Sequence, residues 1–184
     1  MRKYFIFGIV VLPVFISQIG STGVTVAFPM MISHYNTSLV LAGWVLNIYM
    51  LVTIGTIPLI AKLSDNVGRR STFMLCVVLF TLGSLLCSIA PNIGWLIFFR
   101  AIQGIGGGGF MSSVTAIVSD KYPDMRQKLI GFIVSVATFG SIAGPNIGGV
   151  ITEYLGWQAI FWLNVPFGIF ALVLAWLYIK PDVK

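Results

Sequence analysis

Between the apolar stretches 39–61 and 72–90 the chain carries the run AKLSDNVGRR, residues 61–70. Lys62, Asp65, Arg69 and Arg70 make four of its ten residues charged. A single ionised side chain at the centre of a bilayer costs about 2.5–3.5 kcal/mol on insertion scales. So dense a cluster cannot sit in hydrocarbon, and the run is expected to be a short aqueous loop joining two membrane spans.

The rest of the chain agrees with a membrane setting. Only 9% of residues are charged and 58% are hydrophobic, whereas soluble domains carry about 25% charged residues. Crossing about 30 Å of hydrocarbon takes about 20 residues of helix. Six segments meet that requirement: 4–31, 39–61, 72–90, 93–118, 129–152 and 160–179. They are continuously apolar rather than alternating, which predicts helices and not a barrel. The expected fold class is all-α integral membrane, one six-helix unit over residues 1–184, with the lipid bilayer as its surroundings.

Charge then orients the spans. Of eleven Lys and Arg, ten are Arg2, Lys3, Lys62, Arg69, Arg70, Lys121, Arg126, Lys128, Lys180 and Lys184. They fall at the termini or in loops 61–71 and 119–128. The intervening loops 32–38, 91–92 and 153–159 hold no Lys or Arg, only His34 and Glu153. The positive-inside rule therefore predicts cytoplasmic termini and cytoplasmic loops 61–71 and 119–128. This topology accounts for the net charge of +6 and leaves no folded basic face for nucleic acid. Arg2 and Lys3 precede an apolar run too long for a signal-peptide core, so an uncleaved first span is expected. Cys76 and Cys87 share one span and are not placed to bridge.

Lipid gives helices no hydrophobic drive to associate, so polar residues within spans are expected to face protein or water. In the first span Ser17, Gln18, Ser21, Thr22 and Thr25 fall within an arc of about 140° at 100° per residue. Interhelical hydrogen bonding and a cavity wall both fit such a stripe. Asn47, Asn146 and Asn164 are equally open to either role. The fourth span contains the one charge in any span, Arg100, with Gln103, Gly104, Gly107 and Met111 on the same face. Arg100 lies seven residues from the outer end, within reach of snorkelling, but the face it shares favours an inward position. The candidate cavity residues are Gln18, Ser21, Thr22, Thr25, Asn47 and Met111. The fifth span sets Gly140, Gly144 and Gly148 at intervals of four, with Pro145 and Gly149 beside them. Small residues at this spacing admit a second helix at close range, and Pro145 predicts a bend. The third span offers only Thr81, Ser84, Ser88 and the cysteines, and reads as a lipid-facing outer helix.

The run Gly104-Ile105-Gly106-Gly107-Gly108-Gly109 satisfies G-x-G-x-x-G, but a dinucleotide site needs a strand before it and a helix after it. Here the glycines are interior to an apolar span. No HExxH, GxSxG, CxxC or Walker pattern occurs, and there is one His. Neither an enzyme, a metal site nor a cofactor is expected.

Taken together, these residues resemble the major facilitator superfamily, and within it the drug:proton antiporters of the fourteen-helix export branch. Leu63, Asp65, Gly68, Arg69 and Arg70 are similar to the family's G-x-L-x-D-x-x-G-R-[KR] loop, with Ala61 in place of the first Gly. Arg100, Gln103 and Gly104 are similar to its R-x-x-Q-G pattern, and Gly140, Gly144, Pro145, Gly148 and Gly149 to G-x-x-x-G-P-x-x-G-G. Thr22, Ala27 and Pro29 look like the fourteen-helix branch in the first span.

The resemblance implies a 3+3 helical half of the family fold, with helices 1, 2, 4 and 5 lining a cavity and 3 and 6 outside. It implies a cytoplasmic conformational latch formed by Asp65, Gly68, Arg69, Arg70 and Asp120. It implies coupling through Arg100, Gln103 and Gly104, and an antiporter motif in helix 5. The implied activity is export of small amphipathic compounds across the plasma (inner) membrane, with the proton gradient as energy source. Two departures stand out. Gly20 occupies a position where the branch commonly has an acid, and no span contains Asp or Glu. The family fold also has two six-helix halves, so the chain reads as the N-terminal half of a cut or truncated transporter, as a half that pairs with a second copy in a homodimer, or as a half that needs a separate partner chain. A uniporter of a neutral solute and a non-transporting half or assembly partner are the other readings.

Overall fold

In the computed structural model, which describes residues 2–178, six helices fill almost the whole chain. They are α1 (Arg2–Tyr35), α2 (Leu39–Val67), α3 (Arg69–Ser88), α4 (Ile93–Lys121), α5 (Arg126–Leu155) and α6 (Gln158–Tyr178), with a 3-10 turn at Pro123–Met125 between α4 and α5. All six are long and apolar enough to cross a membrane. Position 179, Lys180 and Lys184 lie outside the described residues, as do the side chains of Arg2, Lys3 and Lys121.

The helices outrun the apolar segments that announce them. The 34 residues of α1 extend about 50 Å at 1.5 Å per residue, well beyond the hydrocarbon. The run 61–71, expected as a loop, is helical except at Gly68. Hydropathy marks where hydrocarbon ends, not where helix ends, and Lys, Asp and Arg do not stop a helix once it reaches water. Gly68 does, at φ 108° and ψ 151°, a region essentially reserved for glycine. The expected loop 119–128 likewise shrinks to Tyr122 and the 3-10 turn. Side chains start two helices: Ser38 accepts from the Leu41 amide at 3.3 Å and Asn92 from the Trp95 amide at 3.0 Å, each satisfying an otherwise orphaned N–H.

Helix α1 packs on α5, α2 on α4, and α3 on both α4 and α6. Two apolar clusters result. The larger joins Val11, Tyr49, Phe73, Phe80, Phe110 and Ile133. The smaller joins Val24, Met31, Leu96, Trp157 and Phe161. At this second end Tyr35 Oη donates to the Ala90 carbonyl at 2.7 Å, tying the end of α1 to the α3–α4 turn.

Helix α3 packs on α4 and α6 with one face and turns the other outward. Ten of its residues are buried, Thr72, Thr81, Ser84 and Ser88 among them, while Leu75 and Leu82 face outward. Its weakly polar groups lie inside the bundle, where they can bond. Cys76 and Cys87 are free, buried thiols.

Candidate functional site

At the α2–α3 junction the backbone reversal at Gly68 puts the guanidinium of Arg69 among three helices. Its Nη1 donates to Asp65 Oδ1 at 2.5 Å and to Ser64 Oγ at 3.2 Å, and its Nε to Asp120 Oδ2 at 3.0 Å. One side chain therefore fastens the end of α2 and the start of α3 to the end of α4. Arg70, grouped with this cluster by sequence, points elsewhere, and its Nη2 donates to the Trp176 carbonyl on α6 at 2.7 Å. Asp65 and Asp120 remain largely exposed, so water can compete for the pair.

Deep in the bundle Arg100 is 1% exposed. That burial excludes snorkelling to the surface. Its Nε donates to the Val45 carbonyl at 3.1 Å and its Nη1 to Gln103 Oε1 at 2.7 Å. Gln103, equally buried, passes the connection on, its Nε2 donating to Ser84 Oγ at 2.6 Å. The guanidinium carbon also lies 4.1 Å from the centre of the Tyr49 ring and 5.7 Å from that of Phe161. Among the described residues Arg100 forms no ion pair with an acid. Val45, Tyr49, Ser84 and Phe161 carry no sequence signal of this role. Each is an ordinary residue of an apolar span until the fold sets it beside the cation.

The glycine run of α4 fits between two helices. A Cβ at Gly104 would come within 3.0 Å of the Tyr49 carbonyl, and one at Gly108 within 2.4 Å of the Thr53 carbonyl, both on α2. On the other side a Cβ at Gly106 would meet the Cys76 carbonyl of α3 at 2.5 Å. Thr53 Oγ1 donates across the contact to the Gly104 carbonyl at 3.2 Å.

The α5 glycines meet the polar stripe of α1. A Cβ at Gly148 would lie 2.6 Å from Gly23 Cα, one at Gly144 3.0 Å from the Ile19 carbonyl, and one at Gly140 3.0 Å from the Phe15 carbonyl. Gly149 stands apart, with nothing nearer than 3.7 Å. Helix α5 runs unbroken through Pro145.

The candidate cavity residues divide. Gln18 Oε1 accepts from Ser141 Oγ of α5 at 3.1 Å, and Thr22 Oγ1 donates to the Gln18 carbonyl at 2.8 Å. Thr25 is exposed and bonds the Thr22 carbonyl within its own helix. Ser21 is half-buried and Asn47 exposed, while Met111 packs against the larger apolar cluster. Part of the stripe thus holds α1 to α5, and part stays open.

These features define a class: a multi-pass, all-helical membrane protein with a buried cation at mid-bundle and a three-helix charge cluster at one end. Residues 10–184 match the family model described as Major Facilitator Superfamily, and the chain belongs to that family. It is 34% identical over 174 residues to the riboflavin transporter RibZ of Clostridioides difficile, a match covering 94% of this chain and 38% of that one. It is 37% identical over 143 residues to multidrug resistance protein 3 of Bacillus subtilis, covering 77% and 28%. The fold superposes on a bacterial homolog of the human lysosomal transporter Spinster, in an inward-facing and occupied conformation. That likeness has a TM-score of 0.84 at 21% identity, and covers all of this chain and 45% of the other. The chain therefore spans less than half the length of these relatives.

Proposed function

We propose that this chain is one six-helix half of a secondary transporter in the plasma membrane, with cytoplasmic termini, that exports amphipathic organic compounds by proton antiport and alternating access. The observation that carries the reading is the Arg69 cluster. It closes one end of the bundle through α2, α3 and α4, using two exposed carboxylates that solvent can release. A closure of that kind suits a protein that must open and reclose the same end. Arg100, Gln103 and Gly104 support a coupling role, and the α1–α5 glycine contact supports a moving helix pair. The relatives are more than twice as long as this chain, and a second six-helix half would complete the transporter. The names of the multidrug resistance and riboflavin relatives favour small organic solutes.

A second reading, uniport of a neutral solute, draws on the lack of acids within the apolar spans. Asp65, Asp120, Asp124 and Glu153 all lie at helix ends or in connections. Everted vesicles containing the chain, given an amphipathic fluorescent cation and an imposed pH gradient, separate the readings. Uptake abolished by dissipating the gradient supports antiport. Uptake indifferent to the gradient replaces antiport with uniport, and no uptake makes these six helices inert without a second half.

A further inference from the structure

Burying a guanidinium without an opposing carboxylate is costly, because desolvation of an ion exceeds what neutral hydrogen bonds return. Arg100 is in that position: 1% exposed, bonded to a backbone carbonyl and a neutral amide, and with no acid paired to it among the described residues. The electron-rich faces of two rings remain. Tyr49 lies 4.1 Å below the guanidinium carbon and Phe161 5.7 Å away, both within the roughly 6 Å over which a ring quadrupole attracts a cation. The attraction strengthens as water is excluded, and Tyr49 and Phe161 are themselves buried.

Helix α4 is shaped to admit the nearer ring. A Cβ at Gly107 would lie 2.6 Å from Tyr49 Oη and 3.2 Å from Tyr49 Cζ. The one at Gly104 would press the Tyr49 carbonyl. Glycine at 107 leaves a notch in α4 that the phenol end of the ring fills, and glycine at 104 lets the Tyr49 backbone come close. The run that imitates a nucleotide-binding motif thus has a mechanical reason to be there.

We propose that the Tyr49 ring, its phenol end seated in the notch at Gly107 and backed by Phe161, is the counter-group that holds the Arg100 cation inside the bundle in place of a carboxylate. Tyr49 is a positioning residue, since it acts through Arg100. Its importance for transport rests on the proposed function above, but the pairing itself does not.

The test reads stability of the purified chain, so it needs no transported substrate. Position 49 is replaced by Phe and then by mono-, di- and trifluorophenylalanine through nonsense suppression. Each fluorine drains charge from the ring face while making the ring slightly more apolar. Cation pairing therefore predicts a stepwise fall in melting temperature across the series, and simple packing predicts a flat or rising one. In an Arg100→Met background the fall should vanish. The same series at Phe161, which needs no loss of a hydroxyl, should fall less steeply. A flat or rising series at position 49, or a fall that persists without Arg100, overturns the pairing. The notch is tested separately. Gly107→Ala should lower the melting temperature, and Tyr49→Phe, by removing the colliding hydroxyl, should restore most of the loss. Equal losses in both backgrounds would overturn the notch. Absence of transport with an intact fluorine series would sink only the transport reading.

Discussion

Arg69 Nε stands 3.0 Å from Asp120 Oδ2 although 51 residues separate them, and the same guanidinium holds Asp65 one turn back in α2. A partly exposed pair of this kind contributes little to folding, about 0–1 kcal/mol, because water solvates both charges. Its effect should therefore appear in cycling and not in stability. Asp120→Asn keeps the shape and weakens the bond to Arg69. It should leave the melting temperature nearly unchanged and slow vesicle transport several-fold, with Asp65→Asn behaving alike. Unchanged transport in both variants would remove the latch from the mechanism.

Arg100 invites the opposite comparison. Replacing it with Met, an apolar side chain of similar length, removes the cost of burying a charge but leaves Gln103 Oε1 without its donor, a loss of about 1–3 kcal/mol. The two effects oppose each other, so Arg100→Met should change stability little while transport is lost. Arg100→Lys should also fail, because an ammonium cannot reproduce the planar fork that reaches Val45 and Gln103 together. Melting curves and vesicle transport on the same preparations check both. An unstable Arg100→Met, or an active one, would make the residue an anchor instead of a coupling group.

Much of this arrangement is legible in the sequence because charge in a membrane is expensive and therefore informative. Arg100 stands out as a lone cation, and the 61–70 cluster marks one end of the bundle. The α5 glycines announce a close helix contact, which the structure supplies through Gly23 and the α1 backbone. What escapes a sequence reading is identity of partners. Either Arg69 or Arg70 could pair with Asp120 by position, and only the turn at Gly68 aims Arg69 at it. Ser84 carries no pattern that separates it from Ser88, yet one bonds Gln103 and the other its own helix. Helix ends are missed for a simpler reason, since the helices continue into water where hydropathy has stopped reporting on them.

The α1–α5 contact discriminates between neighbouring glycines. At Gly148 a new Cβ would lie 2.6 Å from Gly23 Cα, backbone against backbone, with no flexible side chain to give way. At Gly149 the nearest atom is a Val26 methyl carbon at 3.7 Å, an ordinary contact. Overpacking typically costs about 1–3 kcal/mol. Gly148→Ala should therefore lose stability in that range and Gly149→Ala should lose almost none, even a gain from better helix propensity being allowed. Thermal unfolding of the two variants checks this, and equal losses would mean that α1 and α5 do not approach as described.

The turn at Gly68 gives the last prediction, because it links backbone geometry to the charge cluster. Its φ of 108° with ψ of 151° is open to glycine and strained for any residue bearing a Cβ, at about 1–3 kcal/mol. Yet Gly68 is also what ends α2 and lets α3 begin at the next residue, so the strain can be relieved only by changing that junction. Gly68→Ala should lower stability by about that amount and, by re-aiming Arg69, should remove the dependence of transport on Asp120. Combining Gly68→Ala with Asp120→Asn tests the link. If the turn aims Arg69, the second change adds nothing to the transport defect of the first. Independent, multiplying defects would show that Arg69 finds Asp120 without the turn.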